Sequence, residues 1–539
     1  MVDLIHDVIN NFQYLAGRYR DVPAMLLLPC LALAMPLLAR WIGWSARWLE
    51  TAALAVAAAI ILVMAFVSGS YLANTGYLDH VEASISAVSW LYRNGDPLYP
   101  GWTDGEGIYG LQYGPLLFQV TAAALSLGPS ILISKLPAFA GFWLACLVLL
   151  WTLRPLLPSA RLTILPVAIV IIMAGCYWRA AYWVRAEPYL LLFAALALCS
   201  LLRLRPVAAA VALGLLGGCA VNMKIHGALY ILPYAVALLA ATGTTAAALR
   251  LAAIGTVCGL LALVLPFLAP NVSLPHYVAF LQATLQHGFA RFLLMQNLRF
   301  GAVLILPVLL MMARRARGQP QPDLPMGLTY LAAVIIVCGI GAKNGAGPTH
   351  LLPFLPAFAY LLVQATRTVR IPGAVDAWTG ALSATFLVAA IAYTPGFESN
   401  ILGLRTWDRL NDDPGVRDEA TQLYRDYPTA IMGVGDYGSD NKAEYKVIGV
   451  FAGGKLPYDT TTWMDLQKGG VPEHVVDRLV TGCTTPFWII PKGGEPFSIT
   501  SPYGPEPMFS RQFQTLFHTG YQPVRDGSYY TVWACKHPA

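Results

Sequence analysis

The chain is 539 residues long, 57% of them hydrophobic and 12% charged, with a mean hydropathy of +0.57. Soluble domains carry charge on roughly a quarter of their residues, so this composition excludes a soluble enzyme and describes a polytopic membrane protein. The formal net charge of +6 does not point to nucleic acid, because the basic residues fall where membrane topology needs them.

Crossing the hydrocarbon core takes roughly 20 apolar residues. Runs approaching that length lie near 22–41, 51–72, 130–153, 162–178, 187–202, 207–223, 226–242, 251–268, 300–313, 326–342, 351–366 and 376–394. The expected fold class is therefore an α-helical polytopic membrane protein with about 11 to 12 transmembrane helices. Arg40 and Arg47, Arg154 and Arg161, Arg203 and Arg205, Arg250, Arg314, Arg315 and Arg317, then Arg367 and Arg370 occupy every second connection. The positive-inside rule assigns those connections to the cytoplasm. Connections 73–129, 179–186, 224–225, 269–299 and 343–350, with the tail from 395, then face outward, into the periplasm if the membrane is a bacterial inner membrane. The opening stretch lacks the charged start and apolar core of a signal peptide and is expected to lie along the interface.

At the end of the second apolar run the chain reads Tyr77-Leu78-Asp79-His80-Val81-Glu82. Asp79 and Glu82 stand i and i+3, so in a helix both carboxylates share one face and point together into the cavity it borders. A carboxylate beside a membrane cavity is costly unless paired, solvated or used. A base here would take the proton from an incoming hydroxyl, and a partner acid would orient the same group or hold a divalent metal ion. For Glu82 a solvated loop acid is the plain alternative.

The first outer loop continues through the turn-rich Asn94-Gly95-Asp96-Pro97-Leu98-Tyr99-Pro100-Gly101 and through Gly110-Leu111-Gln112-Tyr113-Gly114-Pro115-Leu116. The apolar segment 116–127 that follows is too short to cross and is expected along the membrane surface. Loop 269–299, with His276, His287 and Arg291 among aromatic residues on an amphipathic pattern, has the same character. Two interfacial elements around one cavity suit a lipid-tailed substrate.

The second outer loop, Tyr177-Trp178-Arg179-Ala180-Ala181-Tyr182-Trp183-Val184-Arg185-Ala186-Glu187-Pro188, leads straight into a helix. Pro188 suits a first turn, so Glu187 either caps the helix start or serves as an acid. Arg179 and Arg185 are interfacial anchors or phosphate contacts. Lys224, between Asn222-Met223 and Ile225-His226-Gly227, sits in a tight hairpin; it either snorkels to water or joins Arg185 and Lys343 in lining the cavity with positive charge. Lys343 opens Lys343-Asn344-Gly345-Ala346-Gly347-Pro348-Thr349-His350, whose glycines let backbone approach a ligand. His350 is an interface histidine, a ligand contact or a base. Neither zinc-type His and Cys spacing nor a nucleotide-binding glycine loop occurs.

From Gly396 the composition turns polar and rich in glycine and proline, which divides the chain into a membrane domain, 1–395, and a small extracytoplasmic α/β domain, 396–539. Helices are expected at 417–427 and 472–479, and strands at 429–434, 447–451, 487–490 and 529–534. Cys483 and Cys535 are the only cysteines of the tail and are disulfide candidates. The other seven lie in or beside apolar runs, as buried cysteines do.

The order of these features resembles the GT-C superfamily of polyprenyl-phosphate-dependent glycosyltransferases. The matching stretches are Leu78-Asp79-His80, Asp96-Pro97-Leu98-Tyr99, Tyr113-Gly114-Pro115-Leu116, Arg185-Ala186-Glu187-Pro188, the Lys224 hairpin, and Gly345 to Pro353 ahead of Phe354-Leu355-Pro356. They span roughly residues 50–365. The resemblance implies transfer of a sugar from a polyprenyl-phosphate donor to a hydroxyl on a glycan, lipid or protein acceptor, at the outer face of the bilayer. It implies Asp79 as catalytic base, Glu187 or Glu82 as the second acid, and Arg185, Lys224 and Lys343 on the donor phosphate. Tyr113, His226 and His350 complete the candidate substrate-binding set. His80 stands where some members carry the second acid of an Asp-Glu pair, which leaves both a divalent metal ion and the choice of second acid open. A secondary transporter also suits about twelve spans with intramembrane charge, but it implies an internal repeat, and no strict one is found. A membrane scaffold whose tail binds a partner is the third reading.

Overall fold

The computed structural model describes residues 46–536 apart from 104, 106, 111, 178–180, 316–322, 368–374, 398–412, 437–439 and 502–506. The expected span at 22–41 and the candidate Arg179 lie outside the described residues.

Among the described residues five helices are long and apolar enough to cross a bilayer: Arg47–Ala73, Ile131–Leu156, Pro206–Met223, Thr245–Leu268 and Pro348–Thr366. Shorter apolar helices stand beside them at Ala160–Cys176, Ala228–Ala240, Leu324–Ile340 and Trp378–Thr394, as does Glu187–Arg203. The expected span at 300–313 is instead part of a broken pair, Arg291–Leu304 and Leu306–Ala313, bent by 46°. Pro307 explains the break, since it has no N–H to bond back to the preceding turn.

Helices Pro206–Met223 and Thr245–Val264 approach backbone to backbone. Gly214 and Gly218 face Gly255 and Gly259, and a Cβ at either of the first two would strike a carbonyl of the other helix. Two glycine stripes at four-residue spacing allow this contact in lipid, where close packing rather than the hydrophobic effect holds helices together. The segment expected along the membrane surface is helix Pro115–Leu125, which buries Leu117, Phe118, Thr121 and Ala122 against helices His80–Arg93, Ile131–Leu153 and Pro206–Met223.

The tail begins, among the described residues, with helix Pro414–Asp426. It carries a four-stranded sheet in the order β1-β2-β4-β3, with β1 Ile431–Met432, β2 Phe487–Pro491, β3 Tyr521–Asp526 and β4 Tyr530–Cys535. β1 and β2 are parallel and the other pairings antiparallel. The expected strand at 447–451 is a helix, Lys446–Phe451. So short an apolar run fits either period, and packing against helix His80–Arg93 settles it. Helices Thr460–Lys468 and Arg511–Gly520 and strand β3 had no counterpart among the expected elements. Cys483 and Cys535 are joined as a disulfide with Cα atoms 5.8 Å apart.

Candidate active site

The turn that delivers Asp79 is fixed by a buried lysine. Helix Ala46–Ala73 ends with unsatisfied carbonyls, as every helix does. Lys135, inside an apolar helix and fully enclosed, donates to the carbonyls of Tyr71 at 3.0 Å, Asn74 at 2.9 Å and Gly76 at 2.6 Å. Its ammonium also lies 4.4 Å from the centre of the Tyr71 ring. A positive charge at a helix C-terminus is favourable, and here it locks the exit of the chain from the bundle.

Asp79 is then the N-cap of helix His80–Arg93, accepting from Val81 N at 2.8 Å. Its other oxygen pairs with Nη2 of Arg185. Glu82 takes a different path. It is wholly buried and accepts from the Tyr71 hydroxyl, from Leu78 N at 2.9 Å and from Val184 N at 3.0 Å. The two acids therefore do not point together into one cavity. Asp79 has the extended backbone of a cap, φ −152° and ψ 138°, so the one-face rule for helical i, i+3 pairs does not reach it. Glu82 instead ties the segment ahead of its own helix to the segment ahead of helix Glu187–Arg203, one residue from Arg185.

Helix Glu187–Arg203 starts at Ala186, which occupies the cap position expected for Glu187. The Glu187 side chain turns to Lys224, with Oε1 2.6 Å from Nζ. Lys224 ends helix Pro206–Met223 and the next helix starts at Ala228, so the tight hairpin is present. Its ammonium also lies 5.4 Å from the ring centre of Tyr113. The Tyr113 carbonyl accepts from the Tyr99 hydroxyl at 2.7 Å, and the turn that follows is tied to Asn222, whose Oδ1 accepts from Leu116 N at 3.1 Å while its Nδ2 donates to Leu263 O at 2.6 Å. Gly114 makes this possible, because any Cβ there would collide with the Asn222 backbone.

Tyr113 lies within electrostatic reach of Arg185, Glu187, Asp79 and Asp465. Asp79, Tyr113, Arg185, Glu187 and Lys224 thus meet from four distant stretches of chain. Burial alone would raise the Asp79 carboxyl, but the Arg185 guanidinium, with His80 and the Val81 N–H, holds it down at about 2. Burial raises the Tyr113 phenol and keeps it neutral. Two buried atoms of the site accept or donate no hydrogen bond among the described residues, Arg185 Nε and Glu187 Oε2. Such groups are rare in folded proteins because each is costly to leave unpaired.

The remaining candidates flank this centre. His226 and His350 stack with ring centres 5.1 Å apart. The Tyr230 hydroxyl donates to His350 O at 2.7 Å, so its 3.0 Å contact with His226 Nε2 has the imidazole N–H as donor. Lys343 donates to Gln112 Oε1 at 2.9 Å, and Gln112 Nε2 donates to Asp465 Oδ2 at 3.3 Å. Lys135, Gln112, Asn222 and Asp465 were not among the sequence candidates. A lone lysine in an apolar run is the one signal that marks any of them.

The site does not fit a divalent metal ion. Its two carboxylates, Asp79 and Glu187, are already paired with Arg185 and Lys224. Among the described residues no three His, Cys, Asp or Glu side chains gather where a metal could sit.

No protein-family model matches the sequence, and no curated protein matches it. Its fold is similar to that of ArnT from Cupriavidus metallidurans in the apo state, at a TM-score of 0.56 and 16% identity, over 90% of this chain and 98% of that one. The same protein bound to undecaprenyl phosphate is similar at a TM-score of 0.57 and 16% identity, over 88% of this chain and 97% of that one. The architecture described above is therefore the fold of those structures.

Proposed function

We propose that this chain is a membrane glycosyltransferase that moves a sugar from a polyprenyl-phosphate donor to an acceptor hydroxyl, at the outer face of the membrane and with inversion. The observation that carries the reading is the meeting of Asp79 and Glu187 with Arg185 and Lys224 beside unpaired Arg185 Nε and Glu187 Oε2. A likeness to a protein that binds undecaprenyl phosphate supports the donor class. The outward orientation rests on the arginine-rich alternate connections.

In this reading Asp79 takes the proton of the acceptor hydroxyl, whose oxygen attacks the anomeric carbon as the bond from that carbon to the phosphate oxygen breaks. The polyprenyl phosphate leaves with its charge met by Arg185 and Lys224. Preorganised cations of this kind are usually the largest catalytic contribution. A carboxylate held near 2 is a weak base, since a base works best with a pKa close to the working pH. A phosphate that engages Arg185 shares the charge that holds Asp79 low, so donor binding makes the base competent before the acceptor reacts.

The test incubates purified protein with a panel of radiolabelled undecaprenyl-phosphate sugars. Release of undecaprenyl phosphate, absent in Asp79→Asn, is the expected result. Transport of the intact sugar with no release would replace this reading with the transporter.

A further inference from the structure

The tail is built into the membrane domain through buried polar contacts. Asp459 caps tail helix Thr460–Lys468, accepting from Thr462 N at 2.9 Å. The same carboxylate pairs with Lys446 and accepts at 2.7 Å from Ser84, on the helix that Asp79 caps. Backbone contacts run alongside: Ile108 N donates to Pro457 O at 2.9 Å and Asp459 N to Ile108 O at 2.7 Å. Thr462 Oγ1 donates to Gly110 O at 2.6 Å. A carboxylate with three donors and no exposure is a rigid joint.

Asp465 stands three residues beyond Thr462, so it shares the helix face that meets the membrane domain. It is 6% exposed. Its Oδ2 accepts from Gln112, and Gln112 in turn accepts from Lys343. The amide is oriented with its NH2 toward the carboxylate and its carbonyl toward the ammonium, so both contacts polarise it in the same sense. Lys343 needs such support. Burial and the Lys224 charge both lower its pKa, and Asp465 is the acid that opposes them.

We propose that Asp465 of the tail is a positioning residue of the site, holding Lys343 through the Gln112 amide so that the docked tail sets the affinity for the polyprenyl phosphate. This rests on the glycosyltransferase reading above. The probe is equilibrium binding of radiolabelled undecaprenyl phosphate to the full-length protein in detergent, with steady-state transfer measured alongside. Asp465→Asn is expected to weaken binding by about 3- to 10-fold, and Gln112→Met, which breaks the relay without touching the tail, by a similar factor. Lys343→Met is expected to weaken it at least as much, and the Asp465→Asn, Lys343→Met double variant no further than Lys343→Met alone. Asp465→Glu is expected to restore part of the loss, and kcat at saturating donor to stay close to wild type while KM rises. Equal binding by wild type, Asp465→Asn and Gln112→Met, or a double variant weakened by the product of its singles, overturns the inference alone. Absence of binding by the wild-type protein overturns both the donor class and the inference.

Discussion

Removing either member of the Glu187 and Lys224 pair should be far worse than removing both. Their side chains are 1% and 10% exposed and their charged atoms lie 2.6 Å apart. At an effective dielectric of about 20, that separation gives an attraction of about 6 kcal/mol. Desolvation offsets most of it, at several kcal/mol per ion, so the pair as a whole is worth little. A lone survivor keeps its desolvation cost and loses the attraction, which amounts to roughly 3–5 kcal/mol. Arg185 also acts on Glu187 and offsets part of that cost in Lys224→Met, so Glu187→Gln, which leaves Lys224 without its acid, is expected to be the harsher single change. The assay is a double-mutant cycle of Glu187→Gln, Lys224→Met and both, followed by SDS-titrated unfolding of the detergent-purified protein. Each single variant should lose roughly 3–5 kcal/mol and the double far less than either, so the double should be more stable than the sum by at least about 3 kcal/mol. A coupling below about 0.5 kcal/mol would show that the two charges do not depend on each other and would refute the burial argument.

Asp79→Asn should leave the fold intact, since an amide oxygen still accepts from Val81 N, and should cut sugar transfer by about 10²- to 10⁴-fold; near-normal turnover removes Asp79 as the base. The Asp79 carboxyl sits at about 2 in the folded protein, below its unfolded value of about 3.9, a difference on the order of 2 kcal/mol. Because the folded value is the lower one, that stability is fully present above pH of about 4 and is lost as pH falls through about 2. The stability gap between wild type and Asp79→Asn, followed by thermal unfolding against pH, should therefore be flat from pH of about 8 to 5 and shrink below 4. The Cys483–Cys535 bond closes a separation of 52 residues, which in the chain-entropy account is worth about 4 kcal/mol. Reduction should make the tail sensitive to limited proteolysis, and unchanged cleavage would show that the sheet stands without it. Glu82→Ala removes an acceptor from three donors and should destabilise the protein while Glu82→Gln retains more activity than Asp79→Asn; equal loss in both would return Glu82 to the reacting centre.

The centre of the site was legible because each of its charges flanks an apolar run. Asp79, Arg185, Glu187 and Lys224 cluster for the same reason they stood out, namely that charge at a bilayer boundary has to be paired or used. What misled was local geometry. Reading Asp79 and Glu82 as one helical face assumed both lay inside the helix, and the extended backbone of the cap sends Asp79 elsewhere. Glu187 looked like a cap because Pro188 marks a first turn, but Ala186 holds that position and the carboxylate is drawn to Lys224. Gln112 and Asp465 are 353 residues apart in sequence, and no period or motif links a loop amide to a tail acid. The apolar run at 447–451 is too short to have a decisive period, and it lies in helix Lys446–Phe451 rather than in the expected strand.

The joint at Asp459 and the relay from Asp465 have a consequence for biosynthesis. Both residues emerge from the ribosome long after Asp79 and Lys224. Until the last stretch has folded onto the bundle, Lys343 lacks its support and the loop around Tyr113 lacks its backbone partners. With Asp465 in its proposed role, a nascent chain that has not yet reached the tail holds Asp79, Arg185, Glu187 and Lys224 without the contacts that position Lys343.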